Sequence, residues 1–215
     1  MIYRPMLYSG EMVRALLRDR DPKTQTRRLV KGVFQVDGND CIRDVDGLPS
    51  RLDMAPENWD LCPYGQPGDR LLVRETFAMA REYDQLPPSS LVPVFDPTGA
   101  LATPSILYRA DVREKLNKWG RWRPSIHLPN WASRITLEIV SVRVERLQDI
   151  SEADAMAEGC EKGMTAAQII ERTAGLPRLA SYFSGYRNLW ERINGPGSWD
   201  ANPWIWAIAF KRVTP

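Results

Sequence analysis

The sequence predicts an α+β domain in which a small curved β-barrel is flanked by helices, and three observations carry that reading. The strongest strand, "SRITLEIVSVRVERL", sets Ile135, Leu137 and Ile139 on one face but Val140, Val142 and Val144 on the other. Such a change of phase calls for a bulge near Val140, and a bulged strand bends as a small barrel requires. The stretch "PWIWAIAFKRV" near the C-terminus is apolar at successive positions and reads as a strand buried on both faces. The third observation is a set of helices with their own caps, best seen in "DISEADAMAEGC". A chain of 215 residues, 43% hydrophobic, can bury one core, so a single domain over 1–215 is expected.

From the N-terminus, Ser9 is placed to cap a helix, Glu11 suits its positive end, and Val13, Leu16 and Leu17 fall at helical spacing before Pro22 stops it. Lys23 to Val30 holds no helix breaker and reads as extended. Residues 32–69 carry Gly, Pro, Asp and Asn throughout and read as an elaboration rather than a core, and the irregular stretch 84–107 reads as a long surface loop. The first holds a hairpin around "VFQVDGNDCIRDVDG", turned at Asp37-Gly38, and the second carries at most a strand at its end. Between them, Leu71 to Phe77 reads as a strand after the Pro67-Gly68-Asp69 turn. Ser151 with Asp154 forms a capping box for a short helix that Gly159 ends near Glu158. Thr165 with Gln168 repeats the device, and Phe183, Tyr186, Trp190 and Ile193 make the apolar stripe of a longer helix ending at Gly195.

Three scattered cysteines, Cys41, Cys62 and Cys160, without a Cys-x-x-Cys pair, read as free thiols, and a single histidine, His127, leaves no metal-ligand spacing. No metal and no cofactor are expected. No apolar run is long enough to span a bilayer, and Arg4, Glu11 and Arg14 interrupt the first residues. Neither a signal peptide nor a membrane partner is expected, and the cytoplasm is the expected compartment. The net charge of +2 is small, but cations gather between Arg14 and Lys31 and again between Arg109 and Arg123. In the second cluster Arg113, Lys115, Lys118, Arg121 and Arg123 are interleaved with Trp119 and Trp122, a mixture able to follow phosphates and stack bases, or simply to form a solvated face.

The order helix, "KTQTRR", "GDRLLV", strand, "ISEADAMAEG", final strand resembles the ASCH domain, a branch of the PUA-like superfamily of small β-barrels. With "SIHLPNWASRI" and "NGPGSWDANPWIW" the chain also looks like the longer ASCH proteins of bacteriophages and prophages, and residues 32–66 and 78–124 look like insertions relative to the family's smallest members. Lys23 and Arg28 fit the last two positions of that family's Gly-x-Lys-x-x-x-x-Arg pattern, whereas Asp21 stands where its glycine would be.

Small bacterial members of the family are amidohydrolases that deacetylate N4-acetylcytidine with a lysine, a threonine and a glutamate. The resemblance places these roles on Lys23, Thr26 and Glu158, with a modified nucleoside or RNA as the partner. Thr26 is then the nucleophile, Lys23 its activator once its pKa is lowered, Glu158 the acid or base, and Arg28 an anchor for substrate or oxyanion. On a regular strand Lys23 and Thr26 point to opposite faces, so the turn after Pro22 must be irregular for this to work. Other substrate-binding candidates are Glu75, which can meet a cytosine amino group or form a structural salt bridge, Trp131 as a stacking face, and Ser9 at its helix end. His127 reads as structural, and Trp206 as a core residue or a stacking face. The alternative is a non-catalytic RNA-binding module, or a ribonuclease, in which Arg121, Trp122 and Arg123 hold nucleic acid.

Overall fold

The computed structural model describes residues 1–43, 49–52, 61–95, 101–112, 114, 117–173 and 180–213. In chain order the elements are β1 Tyr3–Leu7, α1 Gly10–Leu16, β2 Gln25–Leu29, β3 Phe34–Val36, β4 Asn39–Arg43, β5 Pro49–Arg51, β6 Arg70–Arg74 and β7 Phe77–Met79. They continue with β8 Val94–Phe95, β9 Leu101–Ala102, β10 Ile106–Tyr108, β11 Thr136–Arg146, α2 Glu152–Ala157, α3 Ala166–Thr173, α4 Tyr182–Asn194 and β12 Trp204–Val213. The fold is mixed α+β with a core built mostly from sheet. Two compact units divide the chain, one of residues 1–17, 69–138 and 212–215, the other of 18–68 and 139–211.

In the first unit β1 runs parallel to β6, from Tyr3 opposite Arg70 to Leu7 opposite Arg74, and β6 pairs antiparallel with Thr136–Glu138 of β11. Asp69, 3% exposed, accepts the Ile2 amide at 2.8 Å and fixes the start of that register. Ser9 caps α1 as expected, its hydroxyl accepting from Met12 N at 3.3 Å. The expected strand at 71–77 is two strands, because β7 leaves β6 to pair with β10. Around that hairpin Phe77, Met79, Leu128 and Ala132 form a core joined by Trp131 and Tyr108. Trp131 donates its indole N–H to the Leu91 carbonyl at 3.0 Å, so both its apolar body and its polar tip are engaged.

In the second unit β2 pairs antiparallel with β12, from Gln25 opposite Ala209 to Leu29 opposite Ile205, and β12 lies beside the rest of β11. Within β11 burial falls on Leu137 and Ile139 and then on Val142, while Val140 is 54% exposed, so the inward parity changes where the sequence pattern does. Neither unit's described pairings close a barrel. The β3–β4 hairpin turns at Asp37-Gly38, whose φ values of 50° and 77° are the left-handed pair a two-residue turn needs. Under the sheet, Leu147, Ile150, Ala155, Tyr186, Trp190 and Trp199 pack against Ile205 and Ala207. Ile193, assigned to the apolar stripe of α4 by its spacing, is instead 60% exposed, because the buried line of that helix runs through Ser184, Tyr186 and Trp190.

Two connections in this unit depend on specific side chains. The Glu152 carboxylate of α2 accepts from the Tyr182 and Phe183 amides at 2.7 and 2.8 Å, meeting donors that the start of α4 leaves without helical partners. Gly185 on α4 lies so close to the loop after α2 that a Cβ there would collide with the Glu161 carbonyl oxygen. Gly185→Ala is therefore expected to destabilise the chain by about 1–3 kcal/mol, although Gly to Ala inside a helix ordinarily gains about 0.5–1 kcal/mol. Chemical denaturation with urea reads the sign. Among the described residues no helix is long and apolar enough to cross a membrane. Of the second basic cluster, Arg113 and Lys115 lie outside the described residues, as do positions 44–47 of the expected hairpin segment.

Candidate functional site

The site forms where the segment entering β2 meets the end of α2, both in the second unit. Asp21 adopts φ 48°, a left-handed conformation unusual for a residue with a side chain, and Pro22 follows. Lys23 and Thr24 precede the regular strand, and Thr24 is tied on both sides, its N–H to the Ala157 carbonyl at 2.8 Å and its carbonyl to Phe210 N at 2.9 Å. On the facing side, α2 is started by the expected capping box, Ser151 Oγ accepting from Asp154 N and Asp154 answering to Ser151 N. Gly159 at φ 76° ends it, leaving Glu158 as the capping residue directed inward, 6% exposed.

Lys23 and Glu158 meet there. Lys23 Nζ lies 2.6 Å from Glu158 Oε2 and 2.8 Å from the Glu158 carbonyl oxygen, and both side chains are almost wholly buried. Burial pulls the Lys23 amine below its ordinary pKa, against the opposing pull of the Glu158 carboxylate. The other Glu158 oxygen lies 3.4 Å from Arg27 Nη1, while Arg27 Nη2 reaches Glu145 at 2.6 Å and Asp154 at 3.5 Å. Burial lowers the Arg27 pKa, yet the Glu158 and Glu145 charges outweigh it and hold that guanidinium above its usual value. Gln25, with its amide oriented to satisfy both ends, donates to Asp154 at 3.1 Å and accepts from Arg27. Gln25 and Arg27 thus share the face of β2 that looks onto α2, as alternation requires. Tyr186 lies beneath Arg27, 5.9 Å from ring centre to guanidinium carbon, and burial pushes its phenol well above the usual range.

Thr26 has the opposite parity. It is fully buried, opposite Ile208 in register, and its hydroxyl has no hydrogen-bond partner among the described residues. No bond therefore joins it to Lys23 in this arrangement. Arg28 shares the parity of Thr26 and lies opposite Trp206, which is itself 2% exposed.

The remaining candidates lie in the first unit. Glu75 is 1% exposed and is held by two hydrogen bonds from Arg134, at 2.8 and 2.9 Å, while Arg134 also grips Asp111 and stacks on Tyr108 at 4.0 Å. Arg123 is 5% exposed and donates to the Tyr83 and Asp84 carbonyls, whereas Arg121 is exposed and Trp122 lies 5.2 Å from Arg109. His127 is exposed at the end of a short turn. The structure thus brings Lys23 and Glu158 into contact, places Thr26 and Arg28 on one face of β2, and gives Glu75, Arg123 and Trp131 internal partners.

Glu145, Asp154 and Tyr186 join the charged network without having been singled out as site residues. Asp154 had a signal only as a helix cap, and Glu145 only as a polar residue inside a valine-rich strand. Hydrogen bonding from Ser151 and the Arg27 and Arg143 charges outweigh burial and keep the Asp154 carboxyl below its ordinary pKa. Cys160, beside the network, is pushed up to about 12 by burial and by the Glu158 charge, which makes it an inert thiol at neutral pH. Among the described residues no group of three or more His, Cys, Asp or Glu side chains is placed to hold a metal ion. Comparison of the chain with models of known protein families, with curated proteins and with solved structures finds no match.

Proposed function

We propose that this chain is an ASCH-like amidohydrolase with a PUA-like barrel, which removes the acyl group from an N4-acylated cytidine such as N4-acetylcytidine, without a metal. The observation that carries the reading is a buried Lys23–Glu158 pair at the entry to the strand that holds a buried Thr26 hydroxyl without a hydrogen-bond partner among the described residues. A hydroxyl left without a partner in the interior costs about 1–3 kcal/mol, so a fold that keeps one has a use for it. Asp21 adds support: the position where the ASCH pattern has glycine takes the backbone conformation that favours glycine. Asp21→Gly is accordingly expected to leave stability unchanged or raise it by up to about 1 kcal/mol, and Asp21→Val to lower it by about 1–2 kcal/mol, as urea denaturation would show.

In the proposed cycle the proton shared by the Lys23–Glu158 pair moves to Glu158 as substrate binds, which leaves the Lys23 amine free to act as a base. Thr26 Oγ attacks the acyl carbon, its proton passing to the Lys23 amine, whose four-carbon stem lies outside the regular strand and swings away from Glu158. The carbon–N4 bond breaks as Glu158 protonates the leaving nitrogen, releasing cytidine. Water then attacks the acyl-threonine, Glu158 takes its proton, and Lys23 returns one to Thr26 Oγ, which restores the free amine and the protonated Glu158 and frees the carboxylic acid. Arg28, next but one along the same face, faces the developing oxyanion.

Chromatography of purified protein with N4-acetylcytidine tests the proposal. Cytidine and acetate formed in equal amounts by the wild type, and lost in Lys23→Ala and Glu158→Ala variants that remain folded, are the expected result. No product from folded wild type after prolonged incubation rejects it, and turns attention to RNA binding through the Arg109–Trp122 face.

A further inference from the structure

Beyond α2, on the side of Cys160, the second unit holds a cavity of about 230 Å³. Arg18 and Arg20 enter it from the segment before β2, Lys162 and Tyr182 from the far side, and Met156 and Cys160 also line it. Its cations are only partly compensated. Arg20 has no hydrogen-bond or ion-pair partner among the described residues, and Lys162 lies 5.2 Å from the centre of the Tyr182 ring. Arg18 donates to the Gly159 carbonyl at 3.1 Å and reaches Glu161 at 3.5 Å, but the Glu161 side chain is 87% exposed and gives up that contact at little cost. Asp21 and Glu161 offset two of the three positive charges and leave an excess of one.

We infer that this cavity binds a phosphate group, as the free ion or as a monoester. Two guanidinium forks and an ammonium, brought to the cavity lining from separate segments, match a tetrahedral dianion better than a single carboxylate, which one arginine satisfies. The volume falls below the roughly 300 Å³ of pockets that take a drug-sized molecule, so it admits the anionic group while the rest of an ester stays outside. The Tyr182 ring and Met156 give an organic substituent an apolar wall. This inference does not rest on the amidohydrolase reading.

Calorimetric titration of the full chain with inorganic phosphate and with methyl phosphate tests it, alongside Arg20→Ala, Lys162→Ala and, as a control in the other unit, Arg121→Ala. Arg20 and Lys162 are exposed, so the variants are expected to keep the wild-type circular dichroism spectrum. Binding by the wild type and by Arg121→Ala, weakened about tenfold or more in Arg20→Ala and Lys162→Ala, is the expected result. Tighter binding of methyl phosphate would identify a monoester as the ligand, and tighter binding of inorganic phosphate the free ion. Absence of binding at tens of millimolar, or equal weakening in all three variants, overturns the inference.

Discussion

Thr26→Val is expected to make the protein more stable and inactive. The hydroxyl it removes is fully buried and has no partner among the described residues, and valine has nearly the same shape and favours a strand, so the substitution removes an uncompensated polar group and leaves no cavity. The expected gain is about 1–3 kcal/mol in urea denaturation. Hydrolysis of N4-acetylcytidine is expected to fall by about 10⁴-fold or more, since removing a nucleophile leaves only binding and electrostatics. Thr26→Ser, which keeps a hydroxyl, separates the roles by retaining part of the activity. A stabilised Thr26→Val protein with undiminished hydrolysis would make Thr26 a plain strand residue. Loss of stability would show that the hydroxyl has a partner in solution.

Glu158→Gln is expected to destabilise the chain by about 3–5 kcal/mol at pH 7, because it leaves a buried ammonium opposite an amide. Arg27 keeps Glu145 at 2.6 Å, so Lys23 is the group orphaned, with the Glu158 backbone carbonyl at 2.8 Å as its remaining acceptor. The pH dependence identifies it. Burial already lowers the Lys23 pKa in the folded chain, so between that lowered value and the unfolded value of about 10.4 the unfolded state binds more protons and stability rises with pH. Losing the carboxylate removes what held the Lys23 pKa up and extends that window downward. The difference between wild type and Glu158→Gln should therefore shrink as pH rises from 7 to 9.5, when urea midpoints are compared at both. A difference constant with pH would mean that the destabilisation arises elsewhere. Adding Lys23→Met to Glu158→Gln removes the orphaned charge and should recover much of the loss.

Local signals in the sequence determined the parts of this structure that local physics controls. The Ser9 and Ser151 caps, the Gly159 stop and the Asp37-Gly38 turn each depend on residues within three or four positions, and each is present. The phase change in β11 was legible because burial on a strand follows parity. Partner choice was not legible. Whether Leu71 to Phe77 stays in one sheet depends on the competition between β11 and β10 for its backbone, and whether Ile193 is covered depends on which side of α4 meets Trp199. The same divide runs through the candidate site. Residue types and spacing marked Lys23, Thr26 and Glu158, but 131 positions separate Arg27 from Glu158, and 118 separate it from Glu145. Only the tertiary structure joined them into one buried charge network, because a desolvated cation needs carboxylates from wherever the fold supplies them.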